Sequence, residues 1–272
     1  MCVLQAGNLY SGFAAADQPR KNLDKLVETK KERFWNAEAW QRDQWVKNEA
    51  SQLPSGSRVL DAGAGACKYR PFFSHCRYET QDFCQYEGAL VKYLQPIDHV
   101  CDITRMPMAD GTFDAIVCTE VFEHVVDPMA VLAEFSRLLK PGGKLFLTAP
   151  LGSNLHMEPY HYYGGFTHYW YSHWLPKSGF AVDQIVPQGG PGRTAICYIQ
   201  AFYQSWRAWE QTLRGVKKLL SLAGRMTAKI PVHYLLPWAL AKFDPHLDCN
   251  QICVGYMVAA TRTNAPAANL QK

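Results

Sequence analysis

The 272-residue sequence predicts an α/β fold in which a mainly parallel sheet is covered by helices on both faces. Two observations carry this. From Arg58 onward, short apolar runs bounded by turn residues alternate with helix-patterned stretches. The first of those runs, Val59-Leu60-Asp61, passes straight into Ala62-Gly63-Ala64-Gly65, a strand entering a glycine turn. With 48% apolar and 19% charged residues, the chain can bury a sizeable core.

Taken in order, Met1 to Arg20 reads as a loose tail. From Asn22 to Gln52 a charged, Trp-rich stretch (Trp35, Trp40, Trp45) predicts one or two helices, stopped by Leu53-Pro54-Ser55-Gly56. Residues 1–54 are therefore expected as a tail and helical lid, and 55–192 as a ligand-binding core. Strands are predicted over Arg58–Asp61, Arg77–Asp82, His99–Asp102, Phe113–Cys118, Lys144–Ala149 and Phe180–Val186. A helix is predicted over Pro128–Leu139, capped by Asp127, started by Pro128, and stopped by Lys140-Pro141-Gly142-Gly143. Residues 193–246 break the alternation: they are helical and basic-amphipathic, interrupted by Pro231 and Pro237, and read as an insertion before a last strand, Ile252–Ala260, within 247–263. Packing on the core, a substrate lid, a contact between two copies, or a membrane-surface segment over 213–242 would each suit it. Residues 264–272 read as a second tail.

Lys and Arg exceed Asp and Glu only by 28 to 24, which argues against nucleic acid as the main partner. The nine cysteines form no CxxC pair, and Cys101 and Cys118 fall inside predicted strands, as reduced thiols do. Cys249 and Cys253 read as packing residues. With no leader pattern at the start and no run long enough to cross a bilayer, a cytoplasmic protein is expected.

Asp61, Asp82 and Asp102 close three successive predicted strands, so a parallel sheet brings them to the edge where such sheets bind ligands. Carboxylates accept from ammonium, hydroxyl and exocyclic amine groups, and they repel phosphates. That set suits an aminoacyl nucleoside better than a dinucleotide. Val59 to Gly65, Asp82, Cys101-Asp102-Ile103, Phe113 to Val117, Glu120 to Val125 and Leu138 to Gly143 are similar, in order, to the motifs of class I S-adenosylmethionine-dependent methyltransferases of the type 11 group. The resemblance implies a Rossmann-like, doubly wound seven-stranded sheet with an antiparallel last strand. It implies S-adenosylmethionine as cofactor, S-adenosylhomocysteine as product and a small biosynthetic molecule as acceptor. Asp61 with Gly63 and Gly65 would hold the methionine end, Asp82 the ribose, and Asp102 with the Ile103 amide the adenine, while Thr119 and Glu120 would line the donor cleft. Cys67 stands where the family has a third glycine.

Methyl transfer to oxygen gains from a base titrating near neutrality. His124, His156, Tyr160, His161 and His168 are concentrated after the fourth and fifth predicted strands, and His156, His161, His124 and Tyr160 are the candidate catalytic residues. If the turn after the fourth strand is helical, Glu120, Glu123 and His124 share a face and, with His156 or His161, could hold Mg²⁺ or a similar ion. Many relatives with the same Glu-His pair bind none, and the expectation is a site without metal. Two rival functions remain: a donor-binding module without catalysis, and a nicotinamide-dependent oxidoreductase, against which Lys68 stands where the dinucleotide fingerprint needs glycine.

Overall fold

A computed structural model describes residues 37–264 apart from 89, 94, 248 and 250. The expected tail over 1–20, the expected tail over 264–272 apart from its first residue, and the first part of the expected N-terminal helical region lie outside the described residues. Seven strands, β1 (Arg58–Ala62), β2 (Arg77–Asp82), β3 (His99–Val100), β4 (Phe113–Thr119), β5 (Leu139–Pro150), β6 (Phe180–Gln188) and β7 (Gly255–Arg262), form one sheet in the order β3-β2-β1-β4-β5-β7-β6. The first five are parallel, and β7 inserts antiparallel between β5 and β6. This is the expected doubly wound, Rossmann-like sheet with an antiparallel last strand. Strand order reverses between β1 and β4, which places a ligand crevice at the carboxyl ends of those two strands.

Period-two alternation divides the core between the two faces. Val59, Ala115, Val117, Phe146 and Met257 point to one side, and Leu60, Ile116, Leu145, Leu147 and Val258 to the other. On the first face lies α1 (Ala37–Ser51), which buries Trp45, Val46 and Ala50; the Trp45 ring meets Phe146 edge-on at 6.1 Å. On the second lie α2 (Pro128–Leu138) and α3 (His168–Lys177). The expected cap on α2 is present: the Asp127 carboxylate accepts from Met129 N and Ala130 N, both at 3.0 Å.

Several boundaries differ from the sequence reading. Leu139 leaves the helix to pair with Phe113, and the Lys140–Gly143 turn becomes an irregularity at the start of β5. Only two residues of the third expected strand pair, because Asp102 bonds locally to Thr104 instead. The last strand begins at Gly255, three residues later than expected, where a Cβ would press on the Ala149 carbonyl at 2.6 Å.

The insertion consists of α4 (Pro191–Thr212), α5 (Gly215–Ala228), a π-helical segment (Lys229–Leu235) and α6 (Leu236–Phe243). Its two ends are tied together by the buried Asp244, which accepts from Arg193 N at 3.0 Å and leaves no room for a side chain at Gly192. Among the described residues, no helix is long and apolar enough to cross a membrane.

Candidate active site

The turn after β1 is built by backbone that side chains resist. Gly63 and Gly65 have φ of 74° and 51°, and Cys67, in place of the third glycine, takes the left-handed conformation itself at 55°. Its thiol is buried, and that packing offsets the roughly 1–2 kcal/mol such a conformation costs a residue with a Cβ. A Cβ on Gly63 would overlap the Val121 side chain, reaching its Cγ1 at 3.0 Å. The turn therefore closes directly onto the loop after β4.

Beneath this turn opens a cavity of about 650 Å³. Of the expected donor-binding residues, Gly63, Gly65, Asp82, Asp102, Ile103 and Glu120 line it, and Asp61 and Thr119 do not. Asp82 accepts from Gly65 N at 2.9 Å, from Cys84 N at 3.0 Å and from the Tyr93 hydroxyl at 3.1 Å, so it ties the glycine turn to the segment after β2. Asp102 is fixed by the Thr104 amide and hydroxyl, both at 2.8 Å. Asp61 is turned inward, where the Tyr78 hydroxyl donates to it. Burial pushes its carboxyl up to about 7 against the opposing pull of that hydrogen bond.

Sequence reasoning missed Gln81, Phe83 and Tyr93, which line the same cavity. Gln81 bridges Gly63 N and the Cys101 carbonyl, a link that only the β1–β2 pairing brings about. Among the described lining residues there is no lysine or arginine. A cavity of this kind suits a nucleoside with hydroxyl and amine donors and gives a pyrophosphate no counter-charge.

Val121, His124, Tyr160 and Tyr162 line the same cavity. Tyr160 packs edge-on against Phe83 at 5.1 Å. The loop after β5 is held on this edge by Tyr162 N and Tyr163 N, which both donate to the Glu123 carbonyl. His124 Nδ1 donates to the Tyr160 carbonyl at 2.8 Å, leaving its Nε2 as the lone-pair nitrogen. Burial, with the neighbouring His156 and His161, pulls His124 down to about 4, so its ring is neutral at pH 7. His156 and His161 stand behind it at 4.7 and 5.6 Å between ring centroids, outside the cavity lining. His168 is elsewhere: at the start of α3 it bonds the Tyr256 hydroxyl at 3.1 Å.

Helical spacing does not bring Glu120, Glu123 and His124 together, yet Glu123 Oε1 lies 3.8 Å from His124 Nε2. Glu120 has a left-handed φ of 54°, and only the short 3₁₀ turn Phe122–His124 follows, so helical spacing does not apply. Glu120 accepts from the Thr148 hydroxyl at 2.8 Å and pairs with Arg42 of α1 at 3.2 Å, while Glu123 is buried, its carboxyl pushed up to about 8 by burial and by Glu120. Among the described residues, neither carboxylate joins a cluster of three metal-type ligands. What does converge is His124, His156 and His161, with ligand nitrogens within 4.8 Å of one another, a set that by its chemistry would prefer zinc or another nitrogen-seeking ion to magnesium.

A family model described as a methyltransferase domain matches residues 60–147, the stretch that builds the glycine turn, Asp82, Asp102 and the loop after β4. Residues 60–147 thus carry a methyltransferase domain. Among curated class I relatives, a ubiquinone biosynthesis O-methyltransferase of Xanthomonas axonopodis pv. citri is 31% identical over 133 residues, covering 43% of this chain and 55% of that one. Its counterpart in Xanthomonas oryzae pv. oryzae is 60% identical over 38 residues, 14% of this chain and 16% of that one. The chain thus spans about half the length of the first of these relatives and less of the second. Among solved structures, a protein assigned as a sarcosine dimethylglycine methyltransferase from Galdieria sulphuraria superposes with a TM-score of 0.53 at 12% identity, covering 92% of this chain and 99% of that one. The [4+2]-cyclase SpnF superposes with a TM-score of 0.52 at 16% identity, covering 83% of each. These two likenesses concern the methyltransferase fold alone, and the cyclase's name shows that the fold by itself does not decide the reaction.

Proposed function

We propose that this chain transfers the methyl group of S-adenosylmethionine to an oxygen or nitrogen of a small, flat or partly apolar acceptor. The observation that supports this best is that one cavity is lined both by the glycine turn, Asp82 and Asp102 and by His124, Tyr160 and Tyr162. Donor-type and acceptor-type residues share one space.

When bound, the donor supplies a sulfonium-activated methyl open to in-line displacement. The protein's contribution is then mainly orientation, worth up to about 7–11 kcal/mol in well-aligned cases. Gly63 and Gly65 let the backbone approach the methionine end, Asp82 offers the ribose hydroxyls the oxygen that Tyr93 occupies, and Asp102 with the Ile103 amide faces the adenine. Phe83, Tyr160 and Tyr162 give the acceptor apolar walls that exclude water. His124, neutral and held by the Tyr160 carbonyl, accepts a hydrogen bond from the acceptor hydroxyl or amine through Nε2 and so aims the nucleophile. The proton of the acceptor passes to His124 Nε2 and from there to solvent. An ion seated on the three imidazoles would supply the alternative, lowering the pKa of an acceptor hydroxyl. The O-methyltransferase names of the curated relatives favour an oxygen acceptor.

Calorimetry with S-adenosylmethionine and S-adenosylhomocysteine, followed by S-adenosylhomocysteine release across a panel of phenols, alcohols and amines, tests the proposal. Tight donor binding and release with at least one class are expected, undiminished by EDTA. No heat with either donor form would refute it, and donor binding without release across the panel would leave a binding module. Heat with NAD instead would point to an oxidoreductase.

A further inference from the structure

Helix α5 is amphipathic with its faces reversed. Towards α4 it turns Ser221, Gly224 and Arg225: Trp206 Nε1 donates to Ser221 Oγ at 3.0 Å, Gly224 lies against the Trp206 ring, and Arg225 pairs with Glu210 at 2.9 Å. Outward it turns Val216, Leu219, Leu220 and Met226, which share one helical face and are 70%, 66%, 68% and 53% exposed. Ile230 in the π-helical segment and Trp238 in α6 are also more than half exposed. A helix on a water-soluble domain buries its apolar stripe, whereas this one turns Ser221 and Gly224 inward and presents its apolar side chains. A surface of this kind is built to be covered.

Charge decides what covers it. Between Leu213 and Phe243 the sequence has Arg214, Lys217, Lys218, Arg225, Lys229 and Lys242, and no aspartate or glutamate. Arg225 is paired with Glu210, which leaves five cations around the apolar surface. Two copies meeting through this face would bring like charges together. Anionic headgroups would complement it, and Tyr234 and Trp238, both exposed, are the amphipathic rings that settle at headgroup depth. No described helix can span a bilayer, so the geometry is that of a segment lying in the interface.

We propose that α5, the π-helical segment and α6 dock this protein on an anionic phospholipid surface, with Leu219, Leu220 and Trp238 entering the acyl boundary and the lysines meeting the headgroups. This docking is independent of the chemistry in the cavity and is read by partition, not turnover.

The test is flotation of the full chain with vesicles of phosphatidylcholine alone or of phosphatidylcholine and phosphatidylglycerol in a two-to-one ratio. Binding to the mixed vesicles, weakened by salt, and little binding to the neutral ones are expected. Leu219→Glu with Leu220→Glu should cut partition about tenfold or more, and Lys217→Glu with Lys218→Glu by about tenfold or more. All four side chains are exposed, so the melting temperature of both variants should match that of the parent. Failure to float with either vesicle, or flotation that neither variant reduces, would overturn the proposal. So would a dimer in sedimentation that the leucine variant dissociates, which would assign the face to a second copy.

Discussion

The close approach of Gly63 to Val121 can be tested to the level of a single methyl group. In Gly63→Ala the new Cβ meets two costs. A φ of 74° is left-handed, worth about 1–2 kcal/mol against a residue with a side chain. The Cβ also overlaps the Val121 side chain, an overpacking that costs about 1–3 kcal/mol. The sum is about 2–5 kcal/mol, which for a domain of this size lowers the melting temperature by roughly 5–15 °C. Because Val121 lines the cavity, its displacement should also weaken donor binding, by about tenfold or more. Thermal melts and calorimetry on Gly63→Ala, Val121→Ala and the double variant form a cycle that separates the two costs. Val121→Ala in the Gly63→Ala background should recover the overpacking part and leave the backbone part of about 1–2 kcal/mol. If Gly63→Ala melts and binds like the parent, or if the double variant shows no recovery, the close approach described here is wrong.

Other outcomes follow from the same geometry. Asp82→Ala removes the acceptor that holds Gly65 N, Cys84 N and the Tyr93 hydroxyl, and calorimetry should find donor binding lost. His161→Ala should spare donor binding and slow turnover about 10²-fold or more, and the reverse pattern would mean that donor and acceptor ends are exchanged. Glu123 titrates near 4.5 when unfolded and about 8 when folded, so the native state keeps a proton over that window that the unfolded chain has lost. Its contribution is fully present below pH 4.5 and disappears as pH rises through 8. Melting curves of Glu123→Gln should therefore fall less between pH 5 and pH 8.5 than those of the parent, and parallel profiles would refute the assignment. The parent keeps a second such slope from Asp61, whose carboxyl is raised to about 7.

Features that depend on neighbours in sequence were legible from sequence. The strands show as apolar runs, the Asp127 cap as an acid one residue before a proline, and the ligand edge as aspartates closing successive strands. Asp82 and Asp102 accordingly line the cavity. Asp61, chosen by the same logic, does not, because its carboxylate is buried against the hydroxyl of Tyr78 on the neighbouring strand. The glutamate-histidine group is set by loop backbone and not by helical spacing. Spacing of three and four residues places side chains together only on helical backbone, and Glu120 is left-handed.

The sequence by itself determined the class of sheet, the glycine turn and the aspartates at its edge, since each follows from local conformational preference and a two-residue period. Only the tertiary structure decided that Arg42 reaches Glu120, that His124 meets a carbonyl 36 residues further on, and that three imidazoles converge. It also decided that α5 faces its leucines outward. Those contacts depend on how loops close and on which face of a helix finds a neighbour, and no short-range pattern in a chain encodes either.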